Sequence, residues 1–318
     1  MELETYLYRN RQSTESDRSG PARVVVFIPA LNEEDKIAEV ITTINERYRD
    51  SAPAGFTVET IVVDDGSTDL TVEEARAAGV DGIVSHPQNL GLGAATRTGM
   101  QTALDMGADI AVKIDADFQH DPEDIERVLV PLLEDRADIV YGSRFAGKIN
   151  YRMPLVRNVG NRFFTWLMRR MTGWAITDAQ TGLMAYGSRY LDGFNIVGDY
   201  NAPQQIILDA HNRHLRYAEV PVIFNARTTG DSFISFRYPF KVFPQILRIM
   251  MLGNPLRIFV NLGLCFLGVA FILAAYDLYM YLNDLDYKIH NTMIALITIS
   301  GIQTIFFGLL ADLIRNRK

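Results

Sequence analysis

The chain has 318 residues, 48% of them apolar, which is enough for a sizeable core and one or two domains. Its one cysteine, Cys265, excludes an internal disulfide framework and a cysteine-built zinc site. The net charge of -7 is uneven: residues 236–318 carry +4 and the first 235 carry -11, which argues against nucleic acid as a partner.

Residues 1–22 are polar and charged, with no apolar h-region, and read as a flexible N-terminal tail rather than a cleaved signal. Five short, β-branched runs follow: "RVVVFIPA" (23–30), "VETIVVDD" (58–65), "DGIVSHP" (81–87), "IAVKID" (110–115) and "DIVYGS" (138–143). Being nearly continuously apolar, they suit strands buried on both faces. Helices are expected between them, over 32–48, 69–78, 92–106 and 122–135. Asn32 and Asp69 are the expected N-caps, with Glu33, Glu34, Glu73 and Glu74 in first turns where the helix dipole favours acids. Pro122 takes a first helical position after Asp121. Strand–helix alternation at this spacing gives an α/β fold with a mostly parallel sheet, whose ligands bind beyond the carboxyl ends of the strands.

The polar clusters fall at those ends. "VVDDGSTD" (62–69) is either a turn with a cap, or a place where Asp65 accepts from a nucleobase or ribose. "QNLGLGAATRTGM" (88–100) sets Gly91 and Gly93 at a helix start, as a loose glycine-rich loop or as close helix–sheet packing; a Walker lysine is missing. In "VKIDADFQHDP" (112–122), Asp115 and Asp117 are two residues apart at a strand end, so both carboxylates can point to one side. Mg²⁺ or Mn²⁺ often bridges such carboxylates to substrate phosphates, and Gln119 could add a neutral oxygen. His120 reads as a surface or packing residue, and Asp121 as a cap. "VYGSRFAG" (140–147) places Arg144 after the fifth strand, and "PLVRNVGNRF" (154–163) places Arg157 and Asn161 at i, i+4 on one helical face. The planar fork of arginine suits phosphate, although exposed arginines usually do nothing specific.

The C-terminal end changes character. Residues 255–282 and 292–311 are long apolar runs, each able to cross a hydrocarbon layer as a helix of about 20 residues. Arg248, Arg257, Arg315, Arg317 and Lys318 flank the ends remote from the loop "NDLDYKIHN". That bias puts those ends, and the acidic domain before them, on the cytoplasmic side of an integral membrane protein. Residues 236–254, mixing aromatics, Met and spaced cations, read as an interfacial helix lying on membrane lipid, with an ordinary linker helix as the alternative, and 255–318 as a two-helix transmembrane region rather than a buried core hairpin.

Taken in order, "PALNEE" (29–34), "DDGSTD" (64–69), "GLGAATRTGM" (91–100), "DADFQH" (115–120), "GSR" (142–144), "DAQTGLMA" (178–185) and "EVPVIFNARTTGDS" (219–232) resemble a family 2 glycosyltransferase of the Rossmann-like GT-A fold. The branch most similar is that of dolichol-phosphate mannosyltransferases and polyprenyl-phosphate hexosyltransferases. The resemblance implies a GT-A domain over 23–235 that moves a hexose from a nucleotide sugar (GDP-mannose or UDP-glucose type) to dolichyl or polyprenyl phosphate. It implies inversion and dependence on Mg²⁺ or Mn²⁺. Pro29, Leu31, Glu33 and Asp65 would surround base and ribose, and Asp115, Ala116, Asp117 and Arg227 the rest of the donor. The metal ligands would be Asp117 and Gln119 first, with Asp115 also in the metal set but nearer the sugar nucleotide; Arg144, Arg157 and Asn161 would hold the acceptor phosphate. Catalysis would rest on Asp117, Arg144 and Arg157.

Two departures stand out. Phe233 occupies the place of a lysine in the family's Arg-x-x-Gly-x-Ser-Lys motif, and Asn161 that of a frequent serine. Two rival functions remain: a processive polysaccharide synthase, whose Gln-x-x-Arg-Trp motif is missing, and a membrane carrier of lipid-linked sugars, which would leave the acidic domain unexplained. A helical membrane pair is also compatible with a homo-oligomer.

Overall fold

The run Ala22–Ala30 forms β1, whose residues 24–30 are all buried. It sits inside a sheet of seven strands, with β2 (Phe56–Asp64) on one side and β4 (Ile110–Lys113) on the other, both parallel to it. The computed structural model describes residues 20–49, 55–151, 153–196, 199, 202–226, 255–283 and 290–315. The expected tail over 1–22 and interfacial helix over 236–254 fall largely or wholly outside them.

The strand order is β3-β2-β1-β4-β6-β5-β7. β3 is Gly82–Ser85, β5 Ile139–Ile149, β6 Met184–Gly187 and β7 Tyr217–Phe224. Only β6 runs antiparallel to its neighbours. The order reverses direction between β1 and β4, and in open α/β sheets the crevice beyond such a switch point holds the ligand. The chain therefore brings "PALNEE", "DDGSTD" and "DADFQH" together at that edge.

Among the described residues the helices are α1 (Ile37–Tyr48), α2 (Thr71–Ala77), α3 (Leu92–Asp105), α4 (Ile125–Leu133), α5 (Leu155–Thr172), α6 (Ser188–Leu191), α7 (Ala202–Asn212), α8 (Pro255–Leu282) and α9 (Asn291–Arg315). Several differ from the sequence expectation at their starts. α1 begins at Ile37 rather than 32, because Asn32 adopts a left-handed φ of 53° and the amides of Lys36 and Ile37 both turn back to the Glu33 carbonyl. Asn32 is thus not a cap, and Glu33 and Glu34 precede the helix, whose first-turn acid is Glu39. Asp69 lies two residues before α2 and accepts the Thr71 N–H at 3.1 Å, while Glu73 and Glu74 do occupy the first turn. Asp121 accepts the Glu123 N–H at 3.0 Å, as expected of a cap before Pro122, but opens a 3₁₀ turn (Pro122–Asp124) that leads into α4. The Tyr48 hydroxyl locks this turn, lying 3.1 and 3.0 Å from the carbonyls of Pro122 and Glu123 and accepting the Glu126 N–H.

β5 runs six residues past its expected end, so Arg144 lies within the strand. The register to β7 shifts between Ser143 and Lys148, and Gly147 sits against the Val222 backbone where a side chain would collide.

The chain divides into two compact units at Ser235/Phe236. In the second, α8 and α9 are both long and apolar enough to cross a membrane. Gly263, Ala270 and Asp277 are buried at seven-residue spacing along α8. A Cβ on Gly263 would come within 2.7 Å of the Gly301 carbonyl, and one on Gly308 within 2.6 Å of Phe259. Small residues thus let the two backbones approach, as in membrane helix pairs. Asp277, a charge inside an apolar run, accepts both the backbone N–H and the Nδ1 of His290 at 2.8 Å, which joins the helices at their loop end.

Candidate active site

The first wall of the crevice is a pair of loops after β1 and β2. Asn32 N–H donates to Ser67 Oγ, Glu33 N–H to Thr71 Oγ1 and Glu34 N–H to Asp69. In return Asn32 Oδ1 accepts from Thr68 and Glu34 from Leu70. Each loop's orphan amides are thereby satisfied by the other's side chains, making one rigid surface. Pro29 is buried within β1, and Leu31 and Glu33 are half-buried on the loop after it.

Asp65 is 4% exposed and accepts from Leu90 N (2.9 Å), Gly91 N (2.8 Å) and His86 Nδ1 (2.7 Å). Three of about four carboxylate lone pairs are thereby used on the protein itself. His86, which the sequence reading passed over, also reaches Thr98 Oγ1 at 2.9 Å and so ties β2 to α3. Gly91 has φ 95° and its neighbour Gly93 donates to the Asp199 carbonyl. The start of α3 is thus capped by protein groups, and Gly99 faces the Phe27 ring where any Cβ would clash. A left-handed φ accounts for Gly91 and close packing for Gly99.

The second wall is the turn after β4. Asp115 Oδ1 pairs with the Lys113 ammonium, which also donates to the Gly182 carbonyl at 3.3 Å. Burial raises the Asp115 carboxyl, but the Lys113 charge more than offsets this and holds it below the ordinary carboxylate value. Ala116 is buried, and Phe118 takes a left-handed φ of 55°, a conformation costing about 1–3 kcal/mol that clusters at functional sites. Asp117 Oδ1 accepts the Gln119 N–H at 3.1 Å. The Gln119 amide nitrogen reaches the Asn225 carbonyl at 3.3 Å, which turns Oε1 the other way as a neutral oxygen donor. Among the described residues no three His, Cys, Asp or Glu side chains group as metal ligands. What the turn does offer is oxygen, a carboxylate on Asp117 and an amide oxygen on Gln119, the donor type of a hard cation that takes one or two protein oxygens and completes its shell from phosphates and water.

The third element is a cluster of cations around Phe224. Arg144 is 3% exposed and forked onto Asp178, Nε to Oδ2 at 2.6 Å and one terminal nitrogen to Oδ1 at 2.8 Å, with Gln180 O at 2.7 Å. Arg157 reaches the Tyr151 hydroxyl at 3.3 Å. The guanidinium carbons of Arg144 and Arg157 lie 5.0 and 5.6 Å from the centroid of the same Phe224 ring. The His120 ring lies 4.9 Å from it. Asn161 is buried one turn beyond Arg157, with Met153 Sδ 3.7 Å from its amide. The opposite face of α5 exposes Leu155, Val159, Phe163 and Trp166, on a helix with four arginines and no acid. Arg227 and Phe233 lie outside the described residues.

Residues 25–192 match glycosyl transferase family 2, and 254–316 match the GtrB C-terminal hairpin. The chain belongs to glycosyl transferase family 2. It is 30% identical over 250 residues to a UDP-N-acetylglucosamine–dolichyl-phosphate N-acetylglucosaminyltransferase of Methanococcus voltae, covering 72% of this chain and 96% of that one. It is 30% identical over 223 residues to a polyprenol monophosphomannose synthase of Mycolicibacterium smegmatis, covering 67% and 81%. Among solved structures, glucosyl-3-phosphoglycerate synthase of Mycobacterium tuberculosis, crystallised with Mn²⁺ and UDP-glucose, has a TM-score of 0.55 at 25% identity, covering 72% of this chain and 78% of that chain. The fold is thus that of the GT-A glycosyltransferases, and this chain is a glycosyltransferase.

Within this glycosyltransferase the sequence reading missed Lys113, Asp178, Gly182 and Phe224 as parts of the site. The "DAQTG" loop is their common support: Asp178 and Gln180 hold Arg144, and Gly182 holds Lys113 and His120. Gly182→Ala would drive a methyl group into Asp115 Oδ2 and to 3.0 Å from His120 Cδ2. The atom displaced is the end of a side chain, so the fold should survive while sugar transfer falls at least about tenfold, the two read by thermal unfolding and by initial rates.

His120 is buried, and its Nε2 accepts the Gly182 N–H at 3.1 Å, which assigns the proton to Nδ1. Burial pushes this imidazole down to about 3 from its ordinary 6.5, with Asp115 opposing the shift. The unfolded chain binds the extra proton between those values, so the stability from neutral His120 is complete above 6.5. It should decline as pH falls toward 3, by up to about 1.4 kcal/mol per pH unit. His120→Gln keeps an acceptor for Gly182 without titrating. In EDTA, its unfolding free energy should fall less steeply between pH 6.5 and 4.5 than that of the parent.

Proposed function

We propose that this enzyme transfers one hexose from a nucleoside diphosphate sugar to a dolichyl or polyprenyl phosphate, with a divalent cation and inversion at the sugar carbon. The observation that carries this reading is the Phe224 ring, which gathers Arg144 and Arg157 beside His120 of the Asp115–Gln119 turn. Phosphate-binding cations and a donor-binding carboxylate turn then lie next to each other, joined through one ring. The apolar stripe on α5 and the two long apolar helices support an acceptor with a hydrocarbon tail. Arginines at the ends of the helical pair remote from its loop support a catalytic unit on the cytoplasmic side.

The chain's groups divide the work. The loops after β1 and β2 frame the nucleoside, with Pro29, Leu31, Glu33 and the last lone pair of Asp65 toward base and ribose. Arg157, Asn161 and the remaining N–H groups of Arg144 hold the acceptor phosphate; the motif resemblance assigns Arg227, outside the described residues, to the donor diphosphate. A cation held by Asp117 and Gln119 would supply Lewis-acid neutralisation of the leaving diphosphate. An acceptor phosphate oxygen attacks the anomeric carbon as the bond to the diphosphate breaks, and the bond's electron pair leaves with the diphosphate. The nucleophile is already anionic, so no protein base is needed. His120, buried and with its lone pair spent on Gly182, fits that account. The arginines orient the two substrates and offset the repulsion between their phosphates.

A screen of UDP- and GDP-sugars against polyprenyl phosphate tests the reading. Radiolabel should enter an organic-extractable product that mild acid releases, and EDTA should abolish it. A second reading follows from the solved neighbour, a glucosyl-3-phosphoglycerate synthase: a water-soluble phosphorylated acceptor would keep the label in the aqueous phase.

A further inference from the structure

A lysine inside a central strand needs a reason, because a buried ammonium without a partner is among the costliest groups in a fold. All four residues of β4, Ile-Ala-Val-Lys, are buried, and the Lys113 side chain is 2% exposed. Its ammonium meets Asp115 Oδ1 and the Gly182 carbonyl. Gly182 is fixed in turn by His120, and its bare Cα lies against Asp115 Oδ2. Asp115, with a side chain 35% exposed, is therefore held at Oδ1 by the Lys113 ammonium, while Oδ2 occupies the space that a Gly182 side chain would need. Asp117, two residues on, folds its carboxylate over its own turn toward Gln119.

The pair of aspartates is thus divided by its surroundings. We propose that Lys113 is a positioning residue: it holds Asp115 as an anionic acceptor for the donor and outside the ligand set of the cation, leaving Asp117 and Gln119 as the protein ligands. This rests on the metal-dependent transfer proposed above. The Lys113 ammonium offsets the negative charge of Asp115. The turn alone then attracts a divalent cation weakly, and a nucleoside diphosphate is required to complete the site. That order keeps the cation from occupying the turn without donor.

The test uses the full chain in detergent, titrated with Mn²⁺ alone and with Mn²⁺ plus UDP or GDP, reading free Mn²⁺ by EPR. Lys113→Met leaves two unbalanced carboxylates and should bind Mn²⁺ alone about tenfold more tightly, while transfer slows at least about tenfold because Asp115 is no longer held. A residue that served the fold alone would weaken both. The double variant Lys113→Met/Asp115→Asn restores the net charge without either partner. It should match the parent's Mn²⁺ affinity within about twofold if Asp115 is not a ligand. Asp117→Asn should lose Mn²⁺ binding altogether. The proposal is overturned if Lys113→Met binds Mn²⁺ no more tightly than the parent, or if the double variant binds as poorly as Asp117→Asn. Should Lys113→Met fail to fold, the double variant, in which no buried charge is left unpaired, decides alone. Mn²⁺ binding requires neither lipid nor sugar, so a wrong acceptor leaves this result intact. Undiminished transfer in EDTA would instead overturn the metal dependence of the proposed function.

Discussion

Asp178→Ala is expected to lower the unfolding free energy by about 3–5 kcal/mol, because it strands a buried guanidinium. Arg144 is 3% exposed, and its Nε and one terminal nitrogen are spent on Asp178. Burial alone would raise the Asp178 carboxyl, and Arg144 more than reverses this, holding it below its ordinary value. The stability this provides is present above pH 3.8 and is lost as pH falls through the lower folded value. Asp178 also accepts the backbone N–H groups of Arg144 and Gln180, each worth about 1–3 kcal/mol if left unsatisfied. The double variant Arg144→Met/Asp178→Asn removes both charges and keeps one carbonyl oxygen for those amides. It should recover most of the stability in denaturant unfolding, yet none of the transfer. Recovery of both would mean that the ion pair serves the fold alone.

The sheet was legible because its strands are short, β-branched and apolar without a break, and the five strands expected are all present. β6 and β7 show no such run: β6 has only four residues, and β7 carries Glu219 and Pro221 inside it. Helix starts were misplaced where side chains act across loops: Asn32 looks like a cap, but its oxygen serves Thr68, 36 residues away. The same holds in the site. The spacing of Asp115, Asp117 and Gln119 shows on one strand end, and that of Arg157 and Asn161 on one helix. The partners that orient them come from elsewhere in the chain: Asp178 for Arg144, Gly182 for Lys113, and Phe224 for both arginines. Lys113 was in plain view as the one charge in β4, and burial against a strand-end acid is the signal that could have found it.

Asp117→Ala and Arg157→Ala should fail in different ways. In the proposed reaction Asp117 holds the cation that neutralises charge on the leaving diphosphate, a role exercised most strongly in the transition state. Its loss should reduce kcat by about 10²–10³-fold, with acceptor KM little changed. Arg157 lies on α5 beside Tyr151 and Phe224, away from the β4 turn in sequence and on the wall assigned to the acceptor. Removing one charge-assisted contact, worth about 1.5–3 kcal/mol, should raise the acceptor KM by roughly 10- to 100-fold and leave the donor KM near the parent value. Steady-state kinetics with each substrate varied in turn separate the two cases. The pH profile adds an independent constraint. With no protein base in the step, the rate should climb as the acceptor phosphate takes its second charge near pH 6 and then stay level through pH 8. The rise belongs to the substrate, so Arg157→Ala should shift it upward by weakening the hold on the dianion, whereas Asp117→Ala should lower the plateau and leave the midpoint in place. A bell-shaped profile would instead point to a titrating protein group and overturn the base-free step.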